Sequence, residues 1–136
     1  MFPNRNSLKR LEIWGGEPTL RLDRAFYTIS QMFEVFPNFE EIMFSTNFTT
    51  SNWFDQITGL FKVLENGKKP FNLRIQLSLD GPQKINDLGR GKGVTEKFVN
   101  NWIKLLEFLE KDPIPSNISL YFHFKPTLSI ETIPML

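Results

Sequence analysis

Cysteine is absent from the 136-residue chain, and histidine occurs once, at His123. This polypeptide alone can therefore build no disulfide, zinc–thiolate site or cysteine-ligated iron–sulfur cluster, and a single imidazole makes no histidine metal centre. Neither sign of charge is in excess: 16 Lys and Arg face 15 Asp and Glu, a net charge of +1. That balance carries no footprint of a nucleic-acid binder or of attraction to an anionic membrane. No apolar run approaches the ~18 residues of a membrane span. Met1-Phe2-Pro3-Asn4 opens no signal peptide, so the expected compartment is the cytoplasm. Phenylalanine is plentiful, at 14 residues, which is enough to build a core. The length suits one domain or part of one.

Apolar and polar residues alternate in four short runs. Leu8 to Trp14 places Leu11 and Ile13 on one side and Arg10, Glu12 and Trp14 on the other. Glu41 to Asn47 sets Ile42 and Phe44 against Met43, Ser45 and Asn47. Leu73 to Asp80 sets Leu73, Ile75, Leu77 and Leu79 against Arg74, Gln76, Ser78 and Asp80. Ile118 to Lys125 sets Ile118, Leu120, Phe122 and Phe124 against Ser119, Tyr121, His123 and Lys125. Between the runs the apolar period is helical. The first helix is expected after an Asp23 cap, with Phe26, Ile29, Phe33 and Phe36 inward and Pro37 as its stop. The second follows Ser51 or Asn52, with Phe54, Ile57, Leu60, Phe61 and Leu64 inward, and ends at Asn66-Gly67 with glycine left-handed. Residues 86–93 read as a loop. A third helix is capped by Thr95, buries Phe98, Val99, Trp102, Leu105, Leu106 and Leu109, and closes at Asp112-Pro113. A further capped segment is expected to begin at Ser129.

Strands alternating with helices imply right-handed crossovers and a parallel sheet. Strands buried on both faces read as continuous apolar runs, and these do not. The expected architecture is therefore α/β, with parallel β/α repeats forming part of an incomplete TIM-like barrel. About four strands have their helices on the outer face and their polar residues around a hollow. A doubly wound sheet would bury that polar row at high cost.

The strand ends carry recognisable motifs. Trp14-Gly15-Gly16-Glu17-Pro18-Thr19-Leu20 resembles the GGEP turn that ends the second strand of radical SAM (S-adenosylmethionine) enzymes. Ser45-Thr46-Asn47 resembles the end of their third strand. Ser78-Leu79-Asp80-Gly81-Pro82, with Asn86-Asp87 and Arg90-Gly91, resembles the fourth. His123-Phe124-Lys125-Pro126-Thr127 resembles the exit of the fifth. The likeness spans nearly the whole chain and is nearest to sulfatase-maturing enzymes and peptide maturases. It implies that Gly15, Gly16 and Glu17 receive the methionine amine of S-adenosylmethionine. It also implies that Ser78 lies by the ribose or carboxylate, Arg90 meets the carboxylate, and Asn47 touches cofactor or substrate. The implied reaction is reductive cleavage to a 5′-deoxyadenosyl radical, which takes hydrogen from a peptide or other substrate.

One departure limits that implication. The family's C-x-x-x-C-x-x-C loop, which holds its [4Fe–4S] cluster, has no counterpart in residues 1–136. The expectation is a partial core domain, a fragment whose cluster is supplied by sequence not present, inactive alone and with exposed edge strands that favour aggregation. Two other readings stand beside it. One is a cluster-free nucleoside- or peptide-binding module. The other is an unrelated barrel hydrolase using Glu12, Glu17 and Asp80. Blander roles exist for single residues: Ser78 and Asp80 shaping a turn, Arg90 and Lys92 as solvated charges, and Trp53, Phe54 and Trp102 as core.

Overall fold

A computed structural model describes residues 4–126. The segment expected from Ser129, and Thr127 of the last motif, lie outside the described residues. Four strands form one sheet in sequence order: β1 (Arg10–Ile13), β2 (Glu41–Thr46), β3 (Phe71–Leu77) and β4 (Ile118–Phe124). Every neighbouring pair is parallel, with Leu11 beside Ile42, Ile42 beside Leu73 and Leu73 beside Leu120. The connections carry α1 (Phe26–Val35), α2 (Trp53–Asn66), α3 (Gln83–Arg90) and α4 (Val94–Lys111), preceded by two short 3-10 turns over Pro18–Leu20 and Leu22–Ala25.

One face of the sheet is dry. Ile42, Phe44, Leu73, Ile75 and Leu77 are buried with Ile29 and Met32 of α1, Ile57, Leu60 and Leu64 of α2, and Phe98 and Leu105 of α4. Sequential order of parallel strands, with α1, α2 and α4 packed on the same buried residues, puts these helices on a single face. Asn72, Arg74 and Gln76 alternate with the buried β3 residues and stay half-buried on the other face.

Several local expectations change. Residues 86–90, read as loop, belong to helix α3. Its glycine, Gly89, and its few apolar residues hide it from any periodicity test, and buried Asn86 ties it down instead. Asp23 and Asn52 make no capping hydrogen bond; the Asn52 amide donates to Leu20 O, 2.9 Å away. On α2 Phe61 is buried as expected, but in the first turn the buried aromatic is Trp53, while Phe54 is exposed. On α4, Val99 and Leu106 are also exposed, because the arc of Phe98, Trp102, Leu105 and Leu109 already covers the helix's inward side.

Gly67 ends α2 with φ −66°, not left-handed, and Lys68 takes the positive φ of 53°. The glycine is required by packing. A Cβ there would stand 2.6 Å from the Phe33 ring, which is wedged against Phe39 and Phe71 with centroids 5.1 Å away. Gly67→Ala is therefore expected to destabilise by about 1–3 kcal/mol through overpacking, despite alanine's better helix propensity. Urea unfolding checks this, and an unchanged or raised midpoint would contradict it.

Candidate functional site

At the carboxyl ends of the strands the chain leaves β1 through Trp14 and an exposed glycine pair. Gly15 adopts φ 108°, a conformation that glycine alone takes without strain. No atom lies within 4 Å of where a Cβ would project from either Gly15 or Gly16, so the backbone of this turn faces open space. Pro18 then opens the first 3-10 turn.

Glu17 fastens the turn to β2. Its Oε1 accepts from the Thr19 hydroxyl at 2.7 Å and from the Thr46 hydroxyl, and its Oε2 accepts from Asn47 N–H at 3.0 Å. Thr46 lies in register with buried Leu77, so the carboxylate is drawn toward the helical layer. Thr46 also accepts from Phe48 N–H at 2.9 Å. Phe48 is a fully buried residue at φ 58°. Left-handed phenylalanine is strained. Ring contacts with Trp53 and Phe98 hold it there, as does a 2.8 Å bond from the Asn101 amide to its carbonyl. That kink presents Asn47.

Asn47 Oδ1 accepts from Arg90 Nη1 at 3.1 Å. Arg90 also grips Asp80 with two prongs, Nη2 to Oδ1 and Nε to Oδ2, both 2.9 Å. Ser78 joins the same neighbourhood: its N–H donates to Thr46 O at 3.0 Å. Glu17, Asn47, Ser78 and Arg90 are thus brought together, with Gly15 and Gly16 adjoining. The sequence reading missed the residues that assemble the group. Thr46 was legible only as the apolar-side residue of Ser45-Thr46-Asn47. Asp80, which is buried, was read as one of a polar row, a turn former or a hydrolase carboxylate, not as the partner of Arg90.

Asp87 orders the helix that carries Arg90 relative to the next one. Its Oδ1 accepts from the Thr95 hydroxyl at 2.6 Å and from Thr95 N–H at 3.0 Å, and its Oδ2 accepts from Gly93 N–H at 3.2 Å. The cap of α4 is therefore Asp87, reaching across from α3, and Thr95 is its client. Donation by Thr95 and Gly93 holds the Asp87 carboxyl below its usual range. A depressed folded value contributes stability that is present above the ordinary carboxylate range and lost as pH falls through the folded value. Asp87→Ala is expected to melt at lower temperature than wild type at pH 7, with the gap closing in strong acid. A gap that persists unchanged in acid would contradict this.

Farther down the polar face, Glu41 is buried between Arg10 and Arg74 and ion-paired to both. The Arg74 guanidinium lies 4.4 Å from the Tyr121 ring centroid, with His123 Nε2 3.4 Å from its Nη1. Among the described residues no group of three His, Asp or Glu side chains could hold a metal, and no helix is long and apolar enough to cross a membrane.

The two groups implied by the sequence resemblance fit this chain differently. An iron–sulfur cluster does not fit, because the chain offers no thiolate. The Gly15–Gly16 backbone leaves open the space that S-adenosylmethionine would need there. No protein-family model, curated protein or solved structure matches the chain.

Proposed function

We propose that the chain binds S-adenosylmethionine in the manner of a radical SAM core, with its sheet curved as part of a TIM-like barrel. The observation that carries the reading is the connected run Glu17–Asn47–Arg90–Asp80 at one end of the sheet, beside an uncovered glycine turn. Open parallel sheets keep their ligands at that end.

The residues divide the work. Glu17, already accepting three hydrogen bonds, holds the turn. The exposed backbone of Gly15 and Gly16 supplies acceptors for the methionine amine. Arg90, set in place by Asp80, supplies positive charge for the carboxylate, and Ser78 supplies a hydroxyl. When bound, S-adenosylmethionine supplies a sulfonium whose reductive cleavage requires an electron donor that these residues do not hold.

A cluster-free nucleoside-binding module is the second reading, favoured by the complete lack of cysteine. The hydrolase reading is the weakest, because Glu12, Glu17 and Asp80 are each engaged by their own donors. Calorimetric titration with S-adenosylhomocysteine is expected to show saturable binding. Gly16→Val is expected to abolish it at an unchanged melting temperature, since valine adds bulk only to the open space. Heats no larger than dilution for wild type, or undiminished binding by Gly16→Val, would refute the reading.

A further inference from the structure

On the polar face, against the Gly15–Gly16 turn that forms part of its wall, lies a pocket of about 160 Å³ whose side-chain lining includes Glu12, Trp14, Met43, Ser45, Gln76 and Lys125. None of these side chains is used by the S-adenosylmethionine reading. Two of its polar donors, the Gln76 amide and the Lys125 ammonium, meet only poor acceptors. Gln76 accepts from Ser45 at 2.8 Å, but its amide N–H meets only the Met43 thioether, at 3.4 Å, and sulfur is a weak acceptor. Lys125 is rooted at the exit of β4 by its N–H to Leu77 O, 2.8 Å. Its ammonium faces the Trp14 ring, and it forms no ion pair among the described residues. The one carboxylate of the lining, Glu12, is engaged by Arg10 and by the Trp14 indole N–H at 3.1 Å. Trp14 itself is 77% exposed, a large apolar surface left in water at the pocket wall.

We infer that this pocket binds the carboxylate of a small organic acid. Lys125 and the Gln76 amide take the carboxylate, and Trp14 and Met43 cover the apolar part. A cation beside an aromatic face and an underused amide select an anion with an apolar body. The pocket shares the Gly15–Gly16 turn with the S-adenosylmethionine reading but uses different side chains, and the inference does not depend on that reading.

Trp14 reports on the pocket directly, because Trp53 is buried and Trp102 is half-buried. Titrating the full chain with 3-phenylpropionate is expected to change tryptophan emission saturably. The response should vanish in Trp14→Phe, and Lys125→Met should weaken the affinity about tenfold. The same-shaped cation, 3-phenylpropylammonium, should give no saturable change. Equal responses to the two ions, no response to the acid, or full affinity in Lys125→Met would each overturn the inference. Lys125→Met separates the two readings, because Lys125 has no part in S-adenosylmethionine binding: its affinity for the acid should fall while S-adenosylhomocysteine still binds.

Discussion

Replacing Glu17 by alanine is expected to lower the free energy of unfolding by about 3 kcal/mol, roughly 1 for each of three donors left without their acceptor. The donors are the buried hydroxyls of Thr19 and Thr46 and the N–H of Asn47. Each hydroxyl keeps one further contact, Thr19 with Thr50 and Thr46 with Phe48 N–H, which keeps the loss below that of full orphaning. Glu17→Gln should lose less: its carbonyl still serves the hydroxyls, while its NH2 turns a donor toward Asn47 N–H. Urea titration of the three proteins measures both steps. A change for the alanine variant within about 0.5 kcal/mol, the range of ordinary surface substitutions, would mean that water satisfies those groups and that Glu17 is not a clasp. The functional consequence is direct. Loss of ligand binding in Glu17→Ala would report a broken turn as readily as a lost contact, so Gly16→Val is the cleaner probe.

Glu41→Ala is expected to cost about 2 kcal/mol. Breaking a buried ion pair costs about 3–5 kcal/mol, and the figure is reduced here because the Arg10 side chain is 47% exposed and Arg74 30%. Burial pushes the Glu41 carboxyl up, but hydrogen bonds from Arg74 and Arg10 outweigh it and hold the carboxyl below its ordinary value. The folded value is thus depressed. The stabilisation is present above the ordinary carboxylate range and disappears as pH falls through the folded value. The deficit of the variant should be largest near neutrality and vanish in strong acid. Equal deficits at both extremes would show that Glu41 acts through packing alone.

The strands were legible because alternation is a property of consecutive residues. Leu73, Ile75 and Leu77 against Arg74 and Gln76 announce a half-buried strand without any partner. The parallel order followed from the helices between. What the sequence concealed depends on contacts between distant positions. The cross-helix cap by Asp87 needs α3 and α4 side by side. The role of Gly67 needs Phe33 beneath it. The left-handed turn at Phe48 is held by Asn101, Trp53 and Phe98, and nothing local predicts it. Glu41 carried one readable sign: an acid opening a strand whose neighbours on both sides hold arginines, Arg10 in register with it and Arg74 two residues further along. The glycine turn was visible as residue types, but its service to a ligand rests on the open space above it.

The central claim is that the uncovered Gly15–Gly16 turn and the ends of β2 and β3 form one ligand floor. Amide chemical-shift mapping of the uniformly labelled chain with S-adenosylhomocysteine tests it most directly. The account predicts saturable shifts concentrated at Gly15, Gly16, Asn47 and Ser78, with the amides of Phe54 and Phe108 on the helical side unmoved. Shifts centred on the helical side, or none at saturating ligand, would contradict it.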